Sequence, residues 1–216
     1  MNKIKYVIVM VIMAAVLLFS CKKQSKYEDE ANFQAELIGI TKGMRIVKFL
    51  NEEPQATLNI PSKIKGMPVT EIGQSALADN WFTHVSIPDT VEKIMDYSFS
   101  GNFIREINIP NKVTEIAAGA FMNNQLTSIV IPDSVRKIGY RAFANNWFKS
   151  ITIGSDVEFE ELSGYDTWDE KEWKYTAFEG SDFEDAYSEN GRKAGTYTKV
   201  DEVWIFKPPV ITEKSK

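Results

Sequence analysis

Two residue types that carry much of protein chemistry are almost absent from this chain. Its 216 residues include one cysteine, Cys21, and one histidine, His84. A lone cysteine cannot form an internal disulfide, and no Cys/His pair or Ser/His/Asp arrangement is evident. Metal sites built from nitrogen and sulfur ligands are excluded by the same counts. The phosphate-binding patterns GxGxxG and GxxxxGK[ST] are missing too. We therefore expect no cofactor, no metal and no enzymatic activity.

Basic residues are fewer than acidic ones, with 25 lysines and arginines against 30 aspartates and glutamates. Proteins that bind nucleic acid need a basic face to meet the phosphates. This balance argues against nucleic acid as a partner. We also expect the chain to be monomeric.

The chain has no apolar run long enough to span a bilayer. Tyr6–Phe19 is uninterrupted but contains 14 residues, whereas a spanning helix needs ~20. Because Lys3 and Lys5 precede it, the run fits the hydrophobic region of a secretory signal peptide. We predict a signal peptide over residues 1–20, which is later removed.

Cys21 ends the sequence LFSC and is followed by the polar run KKQSKYEDE. This placement resembles the lipobox of a bacterial lipoprotein, in which the cysteine becomes the lipidated first residue. Several acyl chains, at ~0.8 kcal/mol per buried methylene, hold a protein on a membrane without a spanning helix. We predict lipidation at Cys21, a tether over residues 21–34, and anchoring in the bacterial cell envelope, at the outer membrane or cell surface. The alternative is a plain signal peptide with an incidental cysteine.

A repeat of 22 residues organises the middle of the chain. Ile–Pro pairs recur at 87–88, 109–110 and 131–132, and the first copy, at 60–61, is displaced by five extra residues. Four further columns share the period: Val69, Val91, Val113, Val135 and Val157; Ile72, Ile94, Ile116 and Ile138; Leu77, Phe99, Phe121 and Phe143; Asn80, Asn102, Asn124 and Asn146.

Each repeat predicts two short extended segments. In SIVIP, Ile129 and Ile131 alternate with outward residues, as in a strand with one buried face. Proline then ends the strand because it cannot donate to the ladder. One copy cannot bury its apolar face alone, so we expect the copies to stack at ~4.8 Å per rung into a solenoid.

Two columns have a predicted role inside that stack. The phenylalanines should form a continuous spine, each ring contributing roughly 1.5–3 kcal/mol by burial. The asparagines should hydrogen-bond the turn backbone of neighbouring rungs, since an amide both donates and accepts. A polar binding row is the alternative for the asparagines.

A column of alternating charge runs alongside, formed by Glu71, Lys93, Glu115 and Lys137. Stacked rungs would place opposite charges side by side, which mildly stabilises a sheet. Such exposed pairs contribute only ~0–1 kcal/mol. We interpret the column as support for the register and not as an ion site.

The pattern IPxxVxxIGxxAFxxNxL, with its opening variant IPSKIKGMPVTEIG, resembles the BspA-like, or treponemal-type, leucine-rich repeat. The resemblance covers roughly Leu58–Val157, the period lies in the 20–29 range of such repeats, and AGTYT (194–198) is similar to the closing segment of treponemal members. It implies a right-handed leucine-rich-repeat solenoid of about five 22-residue repeats, α/β by convention but dominated by strands. Members of the family are typically secreted or surface-attached bacterial proteins, and some are implicated in adhesion.

The remaining segments are expected to cap the solenoid. We predict an N-terminal cap over residues 35–55, the solenoid over 56–160, an acidic insertion with a C-terminal cap over 161–207, and a tail over 208–216. Phe178 should resume the phenylalanine column, FEDAYSENGRKAG should form a helix that stops at Gly191, and Thr196–Phe206 should supply two strands. Carboxylates between Glu158 and Glu170 could chelate calcium, but they lack the spacing of a known loop, which favours a solvated face.

One column departs from the family pattern. The residue after each asparagine is commonly polar, as at Gln125, but here the column also contains Trp81, Phe103 and Trp147. If these rings point to solvent, they form a stripe about 15 Å long, and exposed rigid aromatics are usual anchors of binding surfaces. In the alternative, the rings fold over the turn and are buried. Substituting Trp81 and Trp147 by Gln would separate the two.

A second surface consists of the outward rows of the strands. The rows are Thr57, His84, Glu106, Ser128 and Ser150; and Asn59, Ser86, Asn108, Val130 and Thr152. The sequence favours a lipid-anchored binding module that uses Trp81, Phe103, Trp147, His84, Glu106 and Asn108 to hold a protein ligand. The alternatives are an envelope scaffold without a host ligand, or an enzyme with its catalytic group near Trp168 and Trp173.

Overall fold

The computed structural model describes residues 29–39, 43–51, 53, 55–166, 171–179 and 181–209. Among these residues, no helix combines the length and the apolar character that a bilayer crossing requires. The predicted signal peptide and Cys21 lie outside the described residues. These two predictions are therefore not tested by the structure.

Short strands dominate the described chain, with one 3₁₀ turn at Glu30–Asn32 and one helix, α1, at Phe183–Glu189. The strands are β1 Phe33–Leu37, β2 Met44–Phe49, β3 Thr57–Asn59, β4 Lys63–Ile64, β5 Met67–Ile72, β6 His84–Ser86, β7 Lys93–Ile94, β8 Glu115–Ile116, β9 Ser128–Val130, β10 Lys137–Ile138, β11 Ser150–Ile153, β12 Glu158–Phe159, β13 Leu162–Asp166, β14 Lys171–Tyr175, β15 Gly195–Val200 and β16 Val203–Lys207.

The repeats stack as parallel rungs. One sheet has the order β1-β2-β5-β7-β8-β10-β12, with β4 paired to β5, and it collects the second extended segment of each repeat. The segments before the prolines stack separately: β3 pairs with β6, β6 reaches the next rung through a bridge from His84 to Glu106, and β9 pairs with β11. The predicted β-dominated leucine-rich-repeat solenoid is confirmed.

The phenylalanine spine lies in the interior. Phe99 and Phe121 stack with ring centroids 5.1 Å apart and planes within 2°, and Phe121 and Phe143 stack at 5.5 Å and 7°. Phe178 resumes the file at 4.9 Å from Phe143, across the insertion, as predicted. All four rings are buried.

Three of the four column asparagines bond the backbone of neighbouring rungs, as predicted, whereas Asn80 donates within its own turn, to the Ala78 carbonyl at 2.6 Å. Asn124 Oδ1 accepts from the Ile104 amide of the preceding rung at 3.0 Å. Its Nδ2 donates to the carbonyls of Phe99 at 3.0 Å and Phe121 at 3.1 Å. Asn102 repeats this pattern one rung earlier and Asn146 one rung later. Each amide thus joins two coils, and the alternative of a polar binding row is wrong because Asn102 and Asn124 are buried.

The alternating charges face each other across rungs. Glu71 is in register with Lys93, Lys93 with Glu115, and Glu115 with Lys137. The structure extends the row to Arg45 and Glu158, which the sequence had not assigned to it. Arg45 bonds Glu71 at 2.5 Å and Glu36 at 2.9 Å.

Left-handed backbone recurs at the same point in successive coils. Ser75, Tyr97, Gly119 and Arg141 form one such column, with φ between 52° and 61°. Only one of these residues is glycine, although the region disfavours other residues. At Gly119 a Cβ would also lie 2.4 Å from the Tyr97 ring, which covers it.

Both ends of the stack are covered. At the N-terminal end, β1 and β2 form an antiparallel hairpin and Phe49 packs between Phe33 and Phe82. At the other end, α1 stops before Gly191 as predicted, and β15 pairs antiparallel with both β11 and β16. The buried Tyr187 hydroxyl donates to the Gly154 carbonyl at 2.8 Å and accepts from the Val157 amide at 3.2 Å. Burial raises the pKa of Tyr187.

Candidate functional site

The outward rows of the pre-proline strands form a surface built from two short sheets, which we call the strand face. Thr57, His84, Glu106 and Ser128 are exposed on it, and Ser150 is half-buried. Register pairs extend the face onto the cap, since Ser150 lies opposite Thr198 and Thr198 opposite Ile205. Seven rungs at ~4.8 Å make a surface roughly 30 Å long.

A depression of about 390 Å³ occupies the N-terminal part of the strand face. His84 and Glu106 stand on adjacent rungs at its centre. The His84 ring Nδ1 is 2.9 Å from the Thr83 hydroxyl, in a hydrogen bond. Asn108, the third residue predicted from this surface, also lines the depression and is exposed. The structure thus brings His84, Glu106 and Asn108 together.

The far end of the strand face is apolar. Val200 and Val203 lie opposite each other in the β15–β16 hairpin, and Ile205 points to the same side. All three are exposed. The sequence analysis assigned these strands but not this patch, because the final hairpin lies outside the repeat and has no column to mark its outward residues.

The aromatic column is the second predicted surface, and we call Trp81, Phe103, Gln125 and Trp147 the aromatic edge. Trp81 is 62% exposed, Phe103 45% and Trp147 63%. The alternative in which these rings fold down over the turn is therefore wrong. The core role belongs to the next column, in which Phe82, Ile104 and Leu126 are fully buried.

A backbone ladder fixes the aromatic edge in place. The Phe103 amide donates to the Phe82 carbonyl at 2.8 Å, the Gln125 amide to Ile104 at 2.9 Å, and the Trp147 amide to Leu126 at 2.9 Å. The three acceptors belong to the buried column. Each of these residues is next in the chain to a residue whose side chain packs in the core. The stacking of the coils therefore sets the spacing of the rings.

A cleft adjoins each tryptophan of the edge. The cleft at Trp81 measures about 360 Å³ and includes Asn51, Gln55, Asp79 and Asn80. The cleft at Trp147 measures about 590 Å³, with Phe148 and Phe178 beneath and polar residues around it. Its polar lining residues are Asn146, Lys149, Glu179, Ser181, Lys199, Asp201 and Glu202.

Lys199 and Glu179, which line the Trp147 cleft, are each held in an ion pair. Lys199 Nζ lies 2.9 Å from Glu202 and 3.3 Å from Asp182, and its pKa is raised by these carboxylates. Burial acts to raise the pKa of Asp182, but hydrogen bonds from Trp204 and Lys199 outweigh it and the pKa is lowered. Glu179 is bonded by Arg141 at 2.7 Å.

Sequence reasoning missed the cleft residues because they come from segments without a period. Asn51 and Gln55 belong to the loop before the first repeat, and Lys199 and Glu202 to the final hairpin. No spacing in the sequence relates either group to a tryptophan. Only the folding of the caps against the first and last rungs brings them together.

Within the described residues, no cluster of three or more His, Cys, Asp or Glu side chains could hold a metal. The calcium hypothesis also involved Asp169 and Glu170, which lie outside those residues. The enzyme alternative depended on the surroundings of Trp168, outside them as well, and Trp173, whose side chain is likewise not described. The insertion itself contains a hairpin of β13 and β14, which the sequence did not indicate.

A comparison with family models identifies the repeat region. The model described as "BspA type Leucine rich repeat region" matches residues 49–164, a little over half of the chain, in six copies. A comparison with curated proteins finds no match.

Solved structures of bacterial leucine-rich repeat proteins are similar to parts of the chain. A leucine-rich repeat protein from Eubacterium ventriosum ATCC 27560 shares 26% identity over 55% of this chain and 30% of its own, with a TM-score of 0.38. One from Bacteroides ovatus ATCC 8483 shares 20% identity over 61% and 43%, with a TM-score of 0.43. A leucine rich cell surface protein from Faecalibacterium prausnitzii A2-165 shares 18% identity over 68% and 59%, with a TM-score of 0.32. The chain thus spans less than half the length of the first two.

Proposed function

The chain belongs to the BspA-type leucine-rich repeat family, and on that premise we propose that it is a lipid-anchored binding module of the bacterial cell envelope whose strand face holds a protein partner. The observation that carries the proposal is the length of that face, which two runs of strands in register form. Its outward residues are in register from Thr57 to Glu106 and again from Ser128 to Ile205. A face roughly 30 Å long is large enough for a standard protein interface of ~800 Å² per partner.

The composition of the strand face also suits a protein. Most of the outward side chains are polar. At the C-terminal end of the face, the exposed Val200, Val203 and Ile205 form an apolar patch. Protein interfaces commonly combine apolar anchors with polar groups that keep their hydrogen bonds. Because the strands are fixed in the stack, binding would require little ordering of the backbone, which lowers its entropic cost.

Site-specific cross-linking tests the proposed face. A photoreactive phenylalanine analogue is placed at Asn108 on the strand face, or at Thr114, which is exposed on the other sheet six residues later in the chain. In native cells, illumination of the Asn108 variant should give a distinct protein adduct, and the Thr114 variant should give none. The absence of an adduct at Asn108, or the same adducts from both sites, would show that the strand face does not hold a protein partner.

The adduct also separates the binding module from the scaffold alternative. Protection of the chain from added protease on intact cells, together with adducts to envelope proteins alone, would favour a scaffold that never meets a host ligand. Cleavage by external protease would favour a surface-exposed binder.

The lipid anchor is tested by Cys21→Ser. Wild-type chain should remain with the membrane fraction after a high-salt wash, because acyl chains bind by apolar burial, which salt does not weaken. The variant lacks the thiol that would carry the lipid, so it should lose labelling by a fatty-acid analogue and either become soluble or accumulate as the uncleaved precursor. Labelling and membrane retention equal to wild type would refute lipidation at this residue.

A further inference from the structure

We propose that the aromatic edge, Trp81, Phe103, Gln125 and Trp147, is a glycan-binding site. It would take a neutral, β-linked chain of pyranose rings with equatorial hydroxyls, laid along the solenoid axis. This site is separate from the strand face and does not depend on the protein partner proposed for it.

The spacing of the rings suits a linear polymer. Trp81, Phe103 and Trp147 stand on the first, second and fourth rungs of the edge, and backbone bonds tie the Phe103 and Trp147 positions to the preceding rung. Over three steps of ~4.8 Å the edge is about 14 Å long. Successive units of an extended β-linked chain advance by a length close to one rung, so separate units can meet separate rings.

The isolation of the rings favours a sugar over a protein anchor. Gln125 interrupts the column, and the Arg105 side chain donates to it at 3.3 Å. Anchor residues of a protein interface cluster near its centre, whereas Gln125 separates two of these rings. A pyranose needs only the open face of an aromatic ring. Its axial C–H groups carry partial positive charge and meet the negative π face, while its equatorial hydroxyls stay hydrated.

The Trp81 cleft contains an unused hydrogen-bond donor. Gln55 Nε2 is buried and has no partner in the part of the chain that the structure describes, although Gln55 Oε1 accepts from Asn51 at 3.3 Å. A buried donor without a partner is unfavourable. Gln55 lines the cleft, so a rotation of its side-chain amide would bring Nε2 to a sugar oxygen seated beside Trp81.

The charges argue for a neutral glycan. Lys199 at the Trp147 cleft is paired with two carboxylates, and the acidic lining residues Glu179, Asp201 and Glu202 outnumber the basic Lys149 and Lys199, so the cleft offers no net positive charge to an acidic polymer. The chain as a whole carries a net charge of −5, which repels polyanions. Hydroxyls are still accommodated, since Ser181 and Lys149 line the same cleft.

The backbone at Trp81 supplies an independent indication. Trp81 has φ +64°, in the left-handed region, whereas Phe103, Gln125 and Trp147 in the same column do not. A bulky residue is strained there, and asparagine or glycine would fit better. Strained residues concentrate at functional sites, and an exposed ring gains little from burial to offset the strain. Binding is a role that accounts for tryptophan at this position.

Calorimetric titration tests the site, using the chain from Lys22 onward, which keeps every residue that the structure describes. The ligands are cellohexaose and chitohexaose, with maltohexaose, which is α-linked, as the comparison. Trp81→Asn and Trp147→Gln should each weaken binding of the β-linked hexamers about tenfold or more. Leu37→Gln should not, although Leu37 is as exposed (61%) as Trp81. The melting temperature of Trp81→Asn should equal or exceed that of wild type, because the substitution relieves the backbone.

The proposal is overturned if neither β-linked hexamer shows saturable binding at concentrations up to ~10 mM. It is also overturned if maltohexaose binds equally well, or if both tryptophan variants bind as wild type does. Asn108→Arg, on the strand face, should leave the glycan titration unchanged. A loss of protein adducts with intact glycan binding, or the reverse, therefore shows which of the two proposed sites has failed.

Discussion

Replacement of Phe121 by alanine is expected to lower the free energy of unfolding by about 3–5 kcal/mol, the range for a fully buried phenylalanine. The Phe121 ring is completely buried between Phe99 and Phe143, at 5.1 and 5.5 Å. Its removal leaves a cavity in the middle of the spine and weakens the contacts to both neighbouring coils. In a stack of nearest-neighbour units, a central lesion of this kind affects two interfaces at once. Urea unfolding followed by circular dichroism measures the change.

Phe103→Ala is the matched control. It removes the same side chain from the preceding coil, but the Phe103 ring is exposed on the aromatic edge. We expect a change within about 0.5 kcal/mol, as for surface substitutions in general. If the two variants lose similar stability, or if Phe121→Ala loses less than about 1 kcal/mol, the stacked spine does not stabilise the fold as described.

Asn124→Asp is expected to destabilise the protein by about 3–5 kcal/mol near pH 7, the range for an uncompensated buried charge. The two side chains have the same shape, so packing is kept. The donor Nδ2, however, becomes an oxygen that faces the Phe99 and Phe121 carbonyls at 3.0 and 3.1 Å. The site is almost fully buried, and only the Ile104 amide remains to stabilise the carboxylate.

The same variant should show a defined pH dependence. Burial and the facing carbonyls favour the neutral carboxyl, so the pKa of Asp at this position is raised in the folded state above its unfolded value of ~3.9. The folded state then binds more protons, and stability is lost as the pH rises through the folded pKa. At pH 4 the protonated carboxyl can still donate to one of the two carbonyls, so the difference from wild type should be smaller at pH 4 than at pH 7.

Asn123→Asp, one residue earlier, makes the same chemical change at an exposed position whose Oδ1 accepts from Asn145. That acceptor survives the substitution, and aspartate tolerates the left-handed backbone found there. We expect a change within about 0.5 kcal/mol at both pH values. A pH-independent loss in Asn124→Asp, equal to that of Asn123→Asp, would contradict the inter-coil role of the Asn124 amide.

The spine and the amide ladder could be predicted because each is a column in the sequence and each has one physical role. A phenylalanine that recurs every 22 residues must lie above its copies once the coils stack, and a buried amide must find backbone partners. The alternating charges follow for the same reason. Stacking converts a period along the chain directly into contacts across the sheet.

What the period could not determine was anything set by the backbone of a turn or by a segment that occurs once. It placed Trp81 in a column but left its exposure open, and it gave no sign of the left-handed φ at Trp81 or Tyr97. At Tyr97 the conformation is shared with Gly119 one coil later, so the stack imposes it against the preference of the residue. The two clefts depend on Gln55 and Lys199, which belong to the non-repeating caps.

Because the charges alternate from Glu71 to Lys137, it matters whether an odd or an even number of coils is added or removed. Deleting the coil that carries Lys93 would bring Glu71 beside Glu115, whereas deleting the coils of Lys93 and Glu115 together would bring Glu71 beside Lys137 and keep opposite signs adjacent. Placing two like charges side by side costs little, ~0–1 kcal/mol for exposed groups. The alternation therefore favours some numbers of coils without excluding the others. Duplication or loss of coils in this lineage should thus have been tolerated best in even numbers.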